Sequence, residues 1–137
     1  MPGREEMGRV CRVAMTEEKL RQIGEDEVER AMGALPEEVR REAETIPLVF
    51  EMRPTEAMLG PDLDEDVLGL FVGEPLADRG ATLDPLPAQI LLFLENIWNY
   101  AEGGVEAYRE EVRITYLHEL GHYFGWDEED LAQREID

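Results

Sequence analysis

The length of 137 residues allows one domain with one hydrophobic core and is short for two. Hydrophobic residues make up 43% of the chain and charged residues 34%, which is typical of a globular protein. The net charge of −20 opposes binding to nucleic acid and to anionic membranes, because its field repels both, but it permits a basic peptide or protein partner.

The start of the chain predicts neither a targeting segment nor a membrane anchor. Its first ten residues contain acids and no apolar stretch, unlike a secretory signal, and no window approaches the roughly 18 apolar residues of a membrane helix. Cys11 is the single cysteine and cannot form an internal disulfide. These observations favour a cytoplasmic protein. Residues 1–15 are predicted to be an N-terminal extension and residues 16–137 one domain.

Two helices are predicted at the beginning of the domain. Thr16 suits the N-cap of the first helix, with acidic residues in the following turn. Apolar residues then recur at helical spacing as far as Leu35. Pro36 suits the start of a second, short helix from Glu37 to Glu44.

Three strands are predicted in the middle of the chain. Ile46–Pro54 alternates apolar and other residues, and Val67–Val72 is a short apolar run bounded by acids and a glycine. Residues 73–89 contain several prolines and glycines and are predicted to be a loop. Gln89–Leu94 is the third strand. Asn96–Ala101 fits either the end of a strand or a short helix.

The strongest helix prediction covers Val105–Phe124, and its last turns contain both histidines of the sequence. His118 and His122 are one turn apart on the same face, with Glu119 directly after the first. Two neutral imidazoles at this spacing can bind one zinc ion, while the carboxylate serves as general base towards water. The alternative is a pair of ordinary buried histidines beside a glutamate in a salt bridge.

A catalytic zinc site needs a third protein ligand. Gly125 stands where a helix C-cap adopts the left-handed conformation, so the chain can turn back towards the metal. Glu128 lies ten residues after His118, where the H-E-x-x-H-x-x-G-x-x-H pattern has its third histidine. We therefore predict Glu128 as the third ligand. The alternatives are Asp127, Glu129 and a site completed by water. Asp127 also suits the N-cap of a last helix through Ile136.

The segment Val112–Leu131 resembles the signature of the small bacterial zincin-like metallopeptidase family. The resemblance implies an α+β domain with a minimal zincin fold, in which about three strands pack on the active-site helix and helices precede them. It also implies zinc bound by His118 and His122, Glu119 as the base, and hydrolysis of peptide bonds. The substrate is then a peptide or protein, which the charge of the chain suggests is basic. The alternative is a non-catalytic metal-binding or protein-interaction module that retains the fold; no oligomeric state is predicted.

Overall fold

The computed structural model describes residues 15–58, 64–73 and 87–126, which form four helices and a three-stranded sheet. This arrangement confirms the predicted α+β class and agrees with the three-stranded minimal fold that the resemblance implies. The helices are α1 (Glu17–Gly33), α2 (Glu37–Glu44), α3 (Leu94–Ala101) and α4 (Val105–Phe124). The strands are β1 (Leu48–Glu51), β2 (Gly69–Val72) and β3 (Gln89–Phe93).

Two predictions about the organisation of the chain fall largely outside the described residues. The division into an extension over residues 1–15 and a domain over 16–137 stays a prediction, because residues 1–14 are not described. Most of the loop predicted over residues 73–89 is likewise outside them. None of the helices in the described part combines the length and the apolar composition of a membrane-spanning segment.

Helix α1 begins as its sequence predicts and packs along α4. The Thr16 hydroxyl accepts a hydrogen bond from the Lys19 backbone N–H at 3.0 Å, which caps the first turn. Tyr108, on α4, donates its phenolic O–H to the Leu20 carbonyl at 2.9 Å. Arg109, the next residue of α4, contacts Asp26 and Glu27 of α1 at 3.0 and 3.4 Å. Buried apolar residues of α1 belong to the same core cluster as those of α4: Leu20, Ile23, Val28 and Ala31.

The sheet has the order β1-β3-β2, so that β3 lies in the centre. β1 runs parallel to β3, with Leu48 opposite Ile90, and β2 runs antiparallel to β3, with Gly69 opposite Leu92. Among the described strands, β2 therefore pairs on one side and is an edge of the sheet. Each strand is shorter than predicted, since the apolar pattern extends beyond the residues that find a pairing partner.

The segment that fitted either a strand end or a short helix is helical. α3 begins at Leu94, directly after the last residue of β3, and no side chain caps its first turn. Leu94, Ile97 and Trp98 are buried, and the Trp98 ring meets the Tyr108 ring edge-on, with centroids 5.6 Å apart. Packing against α4 thus stabilises a helix for which the sequence carries no start signal.

The core lies around α4, which contacts α1, α3 and two strands of the sheet. Tyr108, Tyr116 and Tyr123 are all buried on this helix. The Tyr123 O–H donates to the Glu42 carboxylate at 2.6 Å, which also connects α4 to α2. The aromatic residues near the histidines are therefore mainly structural. α4 is the element against which the remaining layers are positioned.

The buried tyrosines predict a loss of stability in alkali. Burial, with a smaller contribution from Glu44, raises the pKa of the Tyr116 phenol from 10.0 to about 12. The folded state therefore keeps a proton that the unfolded chain releases. The stabilisation that comes from the protonated Tyr116 phenol is fully present below pH 10. As the pH rises towards 12, the free energy of unfolding falls by about 2 to 3 kcal/mol.

Denaturant unfolding of wild type and Tyr116→Phe between pH 8 and 12 tests this expectation. The free energy of unfolding should fall less steeply for Tyr116→Phe than for wild type. Tyr100→Phe is the matched control, because the Tyr100 side chain is exposed and its removal should leave the pH dependence unchanged. Identical slopes for wild type and Tyr116→Phe would contradict the argument.

Candidate active site

The last two turns of α4 bring His118, Glu119 and His122 together. The imidazole rings of the two histidines have centroids 6.3 Å apart, and His122 Nε2 lies 3.9 Å from Glu119 Oε1. The Glu119 side chain is only 15% exposed, whereas that of His122 is 60% exposed. The carboxylate is thus enclosed, and one imidazole beside it faces outwards.

The surroundings of Glu119 disfavour its charged form. Burial raises the pKa of the Glu119 carboxyl above its ordinary value, and the charges of His122 and His118 act in the opposite direction. Removal of a carboxylate from water weakens its solvation, whereas positive charge nearby restores the balance towards ionisation. The electrostatic state of Glu119 therefore depends on the charge held beside it.

A cleft of about 280 Å³ opens between α4 and the beginning of β2. His118 and Glu119 both line it, whereas His122 lies one turn further along the helix. The remaining walls come from the segment that leads into β2, from α3 and from the preceding turns of α4: Val67, Leu68, Gly69, Tyr100, Glu111, Ile114 and Thr115. The cleft thus places a helix-borne glutamate and histidine opposite the backbone of an edge strand.

Gly69 allows β2 to lie directly against α4 at this cleft. A Cβ atom at residue 69 would lie 2.8 Å from Thr115 Cγ2 and 3.0 Å from the Leu91 carbonyl oxygen, both closer than normal packing permits. Thr115 is buried one turn before His118. The missing side chain of Gly69 therefore sets the distance between the edge strand and the helix that carries the motif.

A buried amide holds the other wall of the cleft in place. Asn96, on α3, donates from its side-chain nitrogen to the carbonyls of Glu65 and Val67, in both cases at 2.9 Å. These carbonyls precede β2 and have no strand partner. By satisfying them, Asn96 orients the backbone that leads into the cleft.

The end of α4 has the conformation that the sequence predicts. Gly125 adopts φ 76° and donates its backbone N–H to the His122 carbonyl, and the Trp126 N–H donates to the Gly121 carbonyl. This pair of bonds is a Schellman motif. The rings of Phe124 and Trp126 stack with centroids 4.6 Å apart. The chain therefore leaves the helix from an anchored turn.

The predicted third ligand lies beyond that turn. Residues 127–137 are outside the described residues. They include Glu128, the alternatives Asp127 and Glu129, and the helix predicted through Ile136. Among the residues that are described, no three histidine, cysteine or acidic side chains are grouped so that they could hold a metal ion. Two imidazoles one turn apart are nevertheless donors of the type that zinc binds. His118 and His122 are thus chemically suited to two positions of a zinc site.

Two of the polar side chains that line the cleft, those of Glu111 and Tyr100, are not identified from the sequence. Glu111 carries a usable signal, since it precedes His118 by seven residues and therefore lies on the same helix face. Tyr100 carries none, because its position depends on how α3 packs on α4. Ile114 is half-buried in the wall of the cleft. Thr115 lines the cleft beside it.

Comparison with known proteins adds a family relationship to this geometry. The model of a family described as zincin-like metallopeptidase matches residues 43–137, more than half of the chain. The matched region includes all three strands, α3 and α4, and hence every described residue that lines the cleft. No curated protein gives a significant match.

The contact at Gly69 predicts a specific pair of coupled substitutions. Gly69→Ala should destabilise the fold by about 1 to 3 kcal/mol, because the added methyl group overlaps Thr115 and the Leu91 carbonyl. Thr115→Ser removes the Cγ2 methyl and keeps the hydroxyl, so it should recover part of this loss in the double variant. Denaturant unfolding of both single variants and the double variant measures the coupling.

Gly33→Ala is the matched control, since no atom lies within 4 Å of the position its Cβ would take. This helical substitution should be neutral or stabilise the fold by about 0.4 to 1 kcal/mol. Strict additivity of Gly69→Ala and Thr115→Ser would show that the two residues do not limit the approach of β2 to α4.

Proposed function

The chain belongs to the zincin-like metallopeptidase family, and on this premise we propose that it hydrolyses peptide bonds with zinc as its cofactor. In this proposal His118 and His122 bind zinc, Glu128 is the third protein ligand, and Glu119 is the general base. The family membership supports the reaction class. The roles of His118, His122 and Glu119 rest on their placement at the end of α4, and that of Glu128 rests on its spacing from His118 in the sequence.

The observation that carries the proposal is the shared position of His118 and Glu119 in one cleft beside an edge strand. The second histidine is one helical turn away on the same side. The two proposed zinc ligands and an enclosed carboxylate thus lie in or beside one cleft that a peptide could enter. A purely structural histidine pair has no need of an open cleft.

The chemistry follows from the chain's own groups. Zinc held by His118 and His122 would supply Lewis acidity towards the scissile carbonyl and towards water. Glu119 orients the attacking water and accepts its proton as the oxygen bonds to the carbonyl carbon. When the carbon–nitrogen bond breaks, Glu119 delivers that proton to the leaving amine. The enclosure of Glu119 keeps competing water away from this transfer.

The edge strand offers a way to orient the substrate. β2 pairs with β3 alone among the described strands, so within the described residues the backbone groups of its outer side have no strand partner and suit an extended peptide. A peptide added to a sheet edge gains backbone hydrogen bonds whatever its side chains are. We infer an extended peptide or protein segment as substrate, with basic residues favoured by the net charge of −20.

Glu119→Gln should abolish hydrolysis without removing the metal. The amide has nearly the same shape as the carboxylate but accepts no proton, and we expect kcat to fall roughly 10²- to 10⁴-fold. Quenched fluorogenic peptides and casein measure the activity, and atomic absorption measures bound zinc. Glu106→Gln, an exposed carboxylate on the same helix and outside the cleft, is the control with the same change of charge.

A wild-type protein that retains one zinc ion but cleaves nothing across a broad substrate panel would contradict the proposal. That outcome would favour a non-catalytic metal-binding or interaction module with a zincin fold.

Alanine substitutions test the zinc ligands separately from catalysis. His118→Ala and His122→Ala should each weaken zinc binding by at least tenfold in competition with a chromogenic chelator. Glu128→Ala should do the same, whereas Asp127→Ala and Glu129→Ala should not. Circular dichroism of each variant establishes that it is folded. Undiminished zinc affinity in Glu128→Ala would remove Glu128 from the ligand set and leave the histidines in place.

A further inference from the structure

The cleft extends along α4 well beyond the residues that the proposed reaction uses. Glu111 precedes His118 by seven residues, and seven helical steps complete nearly two turns and rise about 10 Å. Both side chains line the same cleft. One face of α4 thus carries Glu111 at one end of the cleft and the His118–Glu119 pair at the other.

The Glu111 side chain has no polar partner among the described residues. It is half-buried, yet its carboxylate makes no hydrogen bond or ion pair with any other described residue. The neighbouring arginines of α4 are engaged elsewhere: Arg109 contacts α1, and Arg113 is nearest to Glu110, at 4.0 Å. The Glu111 carboxylate therefore faces the cleft without a neutralising cation from the described part of the chain.

An aromatic ring stands in the wall of the same cleft. Tyr100, on α3, is 62% exposed and is one of two large apolar side chains that the described residues leave exposed. The face of a tyrosine ring attracts cations, and a guanidinium group also stacks on it. A carboxylate and an aromatic face in one cleft are together suited to a lysine or, better, an arginine side chain.

We propose that Glu111 and Tyr100 form a subsite for a cationic side chain, arginine above lysine, of an extended peptide bound in the cleft. This inference rests on the proposed peptidase function and adds to it a specificity that two named residues determine. An extended peptide advances about 3.3 Å per residue, so the rise of about 10 Å places the cationic residue about three positions from the scissile bond.

Paired peptides that differ only in charge test the subsite. A quenched octapeptide series carries arginine at each position in turn, and its partner series carries citrulline, which has the same shape without the charge. For wild type, kcat/KM should be about tenfold higher for arginine at one position, roughly three residues from the cut. Glu111→Gln should remove this preference, and Glu111→Lys should reverse it in favour of glutamate at that position.

Two substitutions of Tyr100 test the contribution of its ring to the subsite. Tyr100→Ala should reduce the preference for arginine over lysine, and Tyr100→Phe should retain it, because the ring face and not the hydroxyl makes the contact. Glu106→Gln serves again as the control, since it removes one negative charge from the same helix outside the cleft. It should leave the preference for arginine unchanged.

A binding measurement separates this inference from the proposed function. The affinity of the arginine and citrulline peptides for zinc-loaded Glu119→Gln, with and without Glu111→Gln, is measured by fluorescence anisotropy. Cleavage by wild type without a Glu111-dependent preference in rate or affinity would overturn the subsite and leave the peptidase proposal standing. Glu111-dependent binding without cleavage by wild type would overturn the peptidase proposal and leave the subsite. The absence of both would overturn both.

Discussion

The close contact between β2 and α4 is the constraint on which the cleft depends. Because residue 69 has no side chain, the edge strand lies against Thr115, one turn before His118. β3 holds β2 from the other side through the antiparallel ladder. The distance between the backbone of the edge strand and the helix that carries the histidines is thereby determined by packing in the interior.

The fold was predictable where the signals are local. Both ends of α4 agree with the prediction, since glycines precede its start and Gly125 ends it. The first turn of α1 agrees because the Thr16 hydroxyl caps it. Strand ends were predicted too long, because their positions depend on the register with β3 and not on the strand's own residues. The sequence does not distinguish a strand end from a helix at α3, because a leucine-rich run continues from β3 into it without a capping side chain.

The residues of the candidate site are likewise of two kinds, those that local spacing predicts and those that only packing between elements brings together. The histidines and Glu119 are within one turn of each other, so helical periodicity alone brings them together. Glu111 lies on that face too, but its significance appears only when the cleft is seen to continue towards it. Gly69 and Tyr100 come from other elements. No pattern within a single segment shows which helix face they will meet, so only the packed structure reveals them.

The capped end of α4 has a consequence for the charge that its last turn can accept. The backbone dipoles of a 20-residue helix add up, so that its final carbonyls carry a partial negative charge equivalent to about half an electron. His122 stands in that turn, and Gly125 and Trp126 each supply one N–H to its carbonyls. A cation held by the imidazole there would be stabilised by about 0.3 to 1 kcal/mol from the helix alone. The direction of the polypeptide thus favours positive charge at the end of α4 where both histidines lie.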